Sequence, residues 1–307
     1  MGFNELVTLQ LTMFSMMLVG LLLRKTNIIT EEGKRCLTDL VIYIFLPCNI
    51  VKSFMVEFNL DILKSFGVVF VISIINQIFC LVLGKVLYRR LKDSERTVLQ
   101  YSTISSNAGF LGNPIAESVF GSMGLTYASI FLIPQRIVIW TAGIMYFTEA
   151  PDKKTIVKKV ITHPCIIAVV VGIIFMLAQI QLPLFVDSTL SAFSKSCTVM
   201  AMMAIGTILA EVNFKAFTNL KITLFTILRL VIIPFCMYVG CHLFHIDPLV
   251  TGVAVLLSAM PAGTGTALLA SKYDRDAPFA TKCVVFSTLM SLVTTPIWSL
   301  ILLQSIK

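Results

Sequence analysis

Ser105–Pro114 (SSNAGFLGNP) and Ser258–Thr266 (SAMPAGTGT) each interrupt a long apolar run with small residues, polar residues and proline. A bilayer offers no hydrogen-bond partners to backbone that leaves a helix. Such interruptions therefore persist only inside protein or beside a water-filled cavity. The two lie in opposite halves of the chain. A matched pair of broken helices is typical of a binding site near the midplane of a membrane transporter.

The composition predicts an integral membrane protein. The chain has 307 residues, of which 57% are hydrophobic and 13% charged, and its mean hydropathy is +0.91. With about 20 residues needed for each membrane span, ten spans take up most of the chain, and no room is left for a soluble catalytic domain. We place them at residues 5–23, 36–54, 63–88, 98–120, 124–147, 164–181, 189–210, 217–243, 249–271 and 278–303.

The basic residues predict how the chain is oriented. Most of the 24 Lys and Arg fall in the connections that follow spans one, three, five, seven and nine. The positive-inside rule makes those connections cytoplasmic and both termini extracytoplasmic, in a cell membrane. This distribution accounts for the net charge of +8, so we expect no nucleic-acid partner. No Lys or Arg precedes the first span, which we therefore expect to be retained rather than cleaved as a signal peptide.

A polar connection in the middle of the chain predicts two repeats. Pro151–Lys159 (PDKKTIVKK) separates five spans from five, and an odd number per half makes the halves run in opposite directions. We predict an all-α fold with a first five-helix repeat at 1–150, a cytoplasmic linker at 151–163 and an inverted repeat at 164–307. The breaks fall in spans four and nine, which would cross where the repeats meet.

Polar and flexible residues in the two breaks are the candidate substrate ligands. Asparagine amides both donate and accept hydrogen bonds, and glycine lets backbones approach closely. The candidates are Asn107, Gly109, Gly112, Asn113 and Pro114 in the first break, and Pro261, Gly263, Thr264 and Gly265 in the second. Two half-helix N-termini that meet there would favour an anion. The alternative is a pair of kinked helices whose small residues only permit close packing.

Once the loop and terminal cations are set aside, Arg136, Lys195 and Arg229 remain inside predicted spans, where charge is costly and often functional. Arg136 is near the middle of span five and Arg229 is deep in span eight. Either could attract an anion or could clamp helices through carbonyls or a carboxylate. Glu117, one turn after Pro114, could respond to protons or neutralise one of the arginines. Neither break contains Asp or Glu, which favours an anionic over a cationic substrate.

Other reactive residue types give weaker signals. The eight cysteines form no CxxC pair, and most are typical of small buried apolar residues. His242 and His245 are three residues apart but have no third ligand nearby. We therefore predict no metal site and no cofactor. A membrane-embedded enzyme or receptor is disfavoured, because no nucleophile and base pair stands out.

The break motifs resemble the auxin efflux carrier family, which includes plant PIN carriers and bacterial permeases of malate or malonate. The resemblance rests on N-x-G-F-x-G-x-P at Asn107–Pro114, the proline-led break at Pro261 and Pro296 in the tenth span. It implies the fold of sodium/bile acid symporters and NhaA-like antiporters, an elevator motion and a possible homodimer. It also assigns a site role to Asn107, Pro114 and Pro261. The chain lacks the long hydrophilic central loop of the plant carriers.

Together these features predict a secondary transporter in the lipid bilayer. Its substrate would be a small organic anion, a mono- or dicarboxylate such as malate, malonate or an auxin-like acid. Asn107, Asn113 and the half-helix N-termini would bind the carboxylate, and Arg136 would attract it. The alternative is a sodium-coupled symporter of the same fold, with Thr264 and Thr266 among the sodium ligands.

Overall fold

The computed structural model describes residues 3–55, 60–143, 145–147, 154, 157–158, 161–210, 219–263, 265–273 and 275–305. Their secondary structure is helical, apart from one isolated antiparallel bridge. The helices are α1 Phe3–Lys25, α2 Glu31–Ser53, α3 Leu60–Leu87, α4 Asp93–Ile104, α5 Ala108–Gly143, α6 Pro164–Ala178, α7 Leu184–Leu209, α8 Leu220–Leu243, α9 Pro248–Ser258, α10 Gly265–Lys272 and α11 Ala277–Ser305.

Several helices have the length and composition of membrane spans. Within the described ranges, six are long and apolar enough to cross a bilayer, namely α2, α3, α5, α7, α8 and α11. This agrees with the predicted class of all-α integral membrane protein. The count of ten spans and the two inverted repeats stay predictions. Most of the predicted linker 151–163 lies outside the described residues.

Local chemistry explains where several helices begin. The Thr30 hydroxyl accepts from the Gly33 amide at 3.2 Å before α2. The Asp247 carboxylate accepts from the Leu249 and Val250 amides at 2.9 and 3.0 Å before α9. Both are N-caps, which satisfy donors that the first turn of a helix leaves free. Proline takes the first helical position in α9, where its missing N–H costs nothing.

Helix α5 contains a bend at the predicted end of span four. Gly121 has φ +72° and ψ −166°, which are not helical values. No atom would lie within 4 Å of a Cβ at this position, so the backbone conformation rather than lack of space favours glycine. The residues on either side of Gly121 therefore form two helical segments that point in different directions.

The helices pack in two groups. In the first, α1, α2, α6 and α7 mainly contact one another, and α1 with α7 is the most extensive contact in the described chain. Gly20 of α1 lies against the Met203 carbonyl, and Gly206 of α7 lies against the Met17 carbonyl. These two glycines let the helix backbones touch, as small residues do in membrane helix pairs. The second group contains α3 to α5 and α8 to α11, including both breaks.

Candidate functional site

The two predicted breaks pair with each other through their backbones. Helix α4 ends at Ile104 and α9 ends at Ser258. The Asn107 amide donates to the Pro261 carbonyl at 2.7 Å, and the Gly263 amide donates to the Ser105 carbonyl at 2.8 Å. These bonds form an antiparallel bridge between Ser106 and Ala262. Backbone groups in the two unwound segments thus find hydrogen-bond partners in each other. Backbone inside a membrane needs such partners within the protein.

The first break is shorter than the sequence predicted. Helix α5 already begins at Ala108, so only Ser105–Asn107 is unwound. Gly109, Gly112, Asn113 and Pro114, which we predicted to be part of the break, instead lie in the first turns of α5. The prediction was wrong because a wide, π-type turn at Ala108–Gly112 precedes Pro114 and accommodates its missing N–H within a helix.

Side chains from neighbouring helices hold the paired breaks in place. The Gln135 amide nitrogen of α5 donates to both the carbonyl and the hydroxyl of Ser106 at 3.0 Å. On the other side, the Ser287 hydroxyl of α11 accepts from the Ala262 amide at 3.2 Å. Gln135 and Ser287 are buried. Each break is therefore anchored by a side chain that is more than 20 residues away in sequence.

Arg229 joins the helix ends at both breaks. Its Nε donates to the Met260 carbonyl at 2.9 Å and its Nη1 donates to the Thr103 carbonyl at 3.0 Å. Arg229 is only 2% exposed. It therefore acts as a clamp on carbonyls, one of the two alternatives that the sequence left open, and has no carboxylate partner within the described ranges.

A cavity of about 270 Å³ lies beside the paired breaks. Five of the predicted site residues line it: Asn107, Gly109, Arg136, Gly263 and Gly265. The wall also contains Tyr101, Ser105, Ser106, Gln135 and His163, together with apolar side chains such as Leu46 and Leu132. No Asp or Glu is among the described residues that line it.

Arg136 is the only cationic Lys or Arg side chain in the described wall of this cavity. It is 8% exposed, and its Nη1 has no hydrogen-bond partner within the described part of the chain. A Cβ at Gly109 would lie 3.4 Å from Nη2, so glycine leaves room for the guanidinium. A buried charged donor without a partner is costly. A bound anion would supply the missing partner.

His163 brings an imidazole from the connection before α6 to the same wall. Its Nδ1 accepts from the Cys165 amide at 3.3 Å, so His163 is also the N-cap of α6. Burial, and next the charge of Arg136, lower the pKa of His163 from 6.5 to about 3. His163 is therefore neutral at physiological pH and leaves Arg136 as the positive charge of the cavity.

The other predicted ligands lie elsewhere. Asn113 is completely buried, and neither its amide oxygen nor its amide nitrogen has a partner among the described residues. Gly112 packs against Leu257 and Met260, away from the cavity wall. Pro114 and Pro261 do not line the cavity, although the Pro261 carbonyl accepts the bond from Asn107. Thr264 lies outside the described residues.

Glu117 belongs to a separate polar group. Its Oε2 accepts from the Asn49 amide at 2.8 Å, and the Asn49 oxygen accepts from the Ser194 hydroxyl at 2.7 Å. The structure does not place Glu117 within ion-pair distance of Arg136 or Arg229. The predicted charge pairing with either arginine is therefore not formed in the described chain. The group links α2, α5 and α7.

Tyr101 and His163 are among the residues of the cavity wall that sequence reasoning missed. Tyr101 precedes the first break by one turn of α4, a spacing that could have indicated it. His163 offered no such signal, because only folding brings the connection before α6 to the breaks.

Comparisons with known proteins show the family to which the chain belongs. The chain matches the membrane transport protein family over residues 6–299. It is 28% identical to an uncharacterized transporter of Methanothermobacter thermautotrophicus, over 98% of this chain and 99% of the relative. It is 27% identical to an uncharacterized transporter of Methanocaldococcus jannaschii, over 94% and 96% of the two chains. It is also 23% identical to the uncharacterized transporter YfdV of Escherichia coli, over 92% and 93%. The chain therefore belongs to the membrane transport protein family, which is the auxin efflux carrier family that its break motifs resemble.

Proposed function

We propose that the protein is a secondary transporter that carries a small organic anion through the cavity beside the paired breaks. The observation that carries this proposal is the buried guanidinium of Arg136, which lines that cavity and whose Nη1 has no hydrogen-bond partner among the described residues. The substrate class is a mono- or dicarboxylate such as malate, malonate or an auxin-like acid.

The electrostatics of the cavity favour an anion. Helices α5 and α10 both begin at the breaks, so their free amides and the positive ends of their dipoles lie near the cavity. Arg136 adds a full positive charge, and neutral His163 does not offset it. A guanidinium can hold a carboxylate through two parallel hydrogen bonds. Asn107 and Ser105 in the cavity wall add polar groups for the rest of the ligand.

The size of the cavity favours a small substrate. Its volume of about 270 Å³ lies just below the range of about 300–1,000 Å³ that is usual for pockets holding drug-sized ligands. Apolar walls at Leu46 and Leu132 would tolerate the carbon chain of an organic acid.

The packing of the helices supports inverted repeats. In a ten-span arrangement, α1 and α2 would correspond to α6 and α7, and α3 and α4 would correspond to α8 and α9. The contact of α1 with α7 then has its counterpart in the contact of α2 with α6. The contact of α3 with α4 likewise has its counterpart in that of α8 with α9. Both pairs of contacts are present, as a duplicated and inverted five-helix unit requires.

The two helix groups also support alternating access by an elevator motion. The group of α1, α2, α6 and α7 would form the scaffold, which could also mediate a homodimer in the cell membrane. The group that contains both breaks would carry the substrate. Because the breaks bond to each other and to α8 and α11, they would move as one unit.

A sodium-coupled symporter is the second candidate. The Thr266 hydroxyl is completely buried at the start of α10 and has no partner within the described chain. The side-chain oxygen of Asn113 is buried and unpaired in the same way. Oxygen atoms of this kind suit a hard cation such as sodium better than an anion.

Counterflow in proteoliposomes tests the anion proposal. We expect at least one of malate, malonate or auxin to exchange across the membrane through the wild-type protein. Arg136→Gln should lower the transport efficiency roughly 10- to 100-fold, because a charge-assisted hydrogen bond contributes about 1.5–3 kcal/mol. The measurement is initial uptake of radiolabelled acid, with and without a sodium gradient.

Arg136→Lys is the matched control. It keeps the positive charge but loses the planar pair of donors, so its activity should fall between those of the wild type and Arg136→Gln. Unfolding midpoints close to the wild-type value would show that both variants fold. Wild-type uptake by Arg136→Gln would contradict the proposal. Loss of uptake without sodium would favour the symporter.

A further inference from the structure

A second pocket lies at the C-terminal, basic end of α3. Its volume is about 590 Å³, and it is an open pocket bordered by the end of α3, the beginning of α4, the end of α5 and the residues that directly follow α3 and α5. This is the face on which the basic connections lie, which the positive-inside rule predicts to be cytoplasmic. Its lining and that of the cavity beside the breaks share no residue.

Three cationic side chains surround this pocket: Lys85, Arg89 and Arg96. Lys85 lies in the last turn of α3, and Arg89 lies in the turn that follows the helix. Arg96 enters from the first turn of α4. Gln100, one turn further along α4 and 8% exposed, completes the polar side of the pocket.

The carboxylates nearest in sequence are already engaged. Asp93 pairs with Arg96 and with Arg275, the latter at 2.8 Å, and Glu95 pairs with Lys221 at 2.6 Å. Lys85 and Arg89 have no carboxylate within ion-pair distance in the described ranges. Within the described ranges the pocket therefore keeps at least two positive charges that no carboxylate pairs with.

The remaining wall is less polar. Ala142 and Met145 at the end of α5 line it, and so does Tyr146. Tyrosine is enriched at the level of lipid headgroups, where its ring contacts apolar atoms and its hydroxyl reaches water. Gly84 of α3 packs against Gln100 of α4, so the two helices lie close together beside the pocket. The pocket thus combines cations with apolar surface near a helix end.

We propose that this pocket of Lys85, Arg89 and Arg96 binds a phosphate group. Two cations without a carboxylate partner in the described chain, and a third beside them, match the charge of a phosphate. The volume is large enough for a phosphate with an attached glycerol. The phosphate can come from the headgroup of an anionic phospholipid in the adjacent leaflet or from free inorganic phosphate. The two sources can be distinguished by measuring lipid binding and phosphate binding separately.

Native mass spectrometry of the full chain in detergent tests the lipid source. Phosphatidylglycerol is the probe, and phosphatidylcholine is the comparison without net charge. We expect tighter binding of phosphatidylglycerol to the wild type. The double variant Lys85→Gln/Arg89→Gln should weaken that binding by about tenfold or more, because each basic residue near an anionic lipid contributes about 1 kcal/mol. Calorimetric titration with inorganic phosphate tests the other source.

The matched control is Arg90→Gln/Lys92→Gln. It removes the same charge from the same connection, but neither residue lines the pocket, so phosphatidylglycerol affinity should stay within about twofold of the wild type. Binding of inorganic phosphate that only the Lys85 and Arg89 variant loses would support the free-ion source. Equal losses in the two double variants, or no phosphate binding from either source, would overturn the proposal.

Discussion

At the residue scale, the two buried arginines, Arg136 and Arg229, have different roles. Both lie deep in predicted spans, where an unpaired charge is expensive. Arg229 donates hydrogen bonds to the Met260 and Thr103 carbonyls, which lie near the helix ends at the two breaks. Arg136 faces the cavity, and no described residue is a hydrogen-bond partner of its Nη1. The difference assigns Arg229 to the architecture and makes Arg136 the candidate ligand.

His163 provides a prediction about pH. Its pKa is about 3 in the folded protein, against 6.5 for an ordinary histidine. The unfolded chain therefore binds a proton at His163 that the folded protein does not bind, in the range between these values. Stability linked to His163 is complete above pH 6.5 and is lost as the pH falls towards about 3. His163→Asn keeps an N-cap acceptor but does not titrate.

We expect the difference in unfolding midpoint between His163→Asn and the wild type to change in favour of the variant as the pH falls from 7.5 to 4.5, because only the wild type loses stability through His163. Thermal unfolding of the two proteins at several pH values measures this. His245→Asn is the control, since His245 is exposed and asparagine tolerates its φ of +50°. A difference between His163→Asn and the wild type that stays constant with pH would disprove the linkage.

At the scale of elements, proline and a wide helical turn occur together. The π-type segments Val41–Phe45, Ala108–Gly112 and Leu228–Ile232 each come directly before a helix with proline at its first or second position. Proline cannot donate a backbone hydrogen bond, and its ring crowds the preceding turn. The wider turn of a π-type segment gives the proline ring more room. This is why the first break is short.

The second break supplies a prediction at the same scale. A Cβ at Gly263 would lie 2.8 Å from the Ser105 hydroxyl oxygen and 3.3 Å from its carbonyl oxygen. We therefore expect Gly263→Ala to separate the breaks, to weaken the bond from Gly263 to Ser105 and to destabilise the protein by about 1–3 kcal/mol. Unfolding by denaturant and anion uptake both measure the effect.

Gly265→Ala is the matched control two residues along. The nearest atom to its Cβ would be the Tyr101 hydroxyl at 3.7 Å, an ordinary contact. We predicted that glycine is needed at position 265 for backbones to approach closely. The space around Gly265 does not support this prediction. This variant should keep nearly the stability of the wild type. Equal effects of the two substitutions would show that the close approach of Gly263 is unimportant.

At the scale of the whole molecule, the elevator proposal predicts that linking the two helix groups stops transport. The Thr126 hydroxyl of α5 donates to the Ser53 carbonyl of α2 at 2.6 Å, so these residues touch across the boundary. Cysteines at both positions, in a chain without its eight native cysteines, can be joined by a short thiol crosslinker. Uptake should fall at least about tenfold on crosslinking and recover on reduction, since the groups must slide past each other.

A link inside one group is the control. Lys52 of α2 pairs with Asp187 of α7, and both helices belong to the proposed scaffold. Crosslinking cysteines at these two positions should leave uptake unchanged. Full uptake with Ser53 linked to Thr126 would mean that the two groups do not slide.

Much of the architecture could be predicted from the chain because its causes are local. Hydropathy over about 20 residues indicates a span. Glycine and proline change the backbone where they stand, and the helices α3 and α11 begin and end within a few residues of the predicted spans. The beginning of α5 was harder to predict, because a wide turn can absorb a proline without ending the helix. The pairing of the breaks was expected from the duplicated pattern, but its register at Ser106 and Ala262 was not.

The sequence by itself determined the membrane class, the position of both breaks and the absence of carboxylates within them, because composition and backbone preference act over a few neighbouring residues. Only the tertiary structure decided which arginine faces the cavity, where Glu117 lies and how His163 joins the wall. Arg229 meets the Thr103 carbonyl 126 residues away, and Asn49 meets Glu117 across 68. Such contacts depend on how helices rotate and cross when they bury their small and polar faces, which is a property of the assembled bundle.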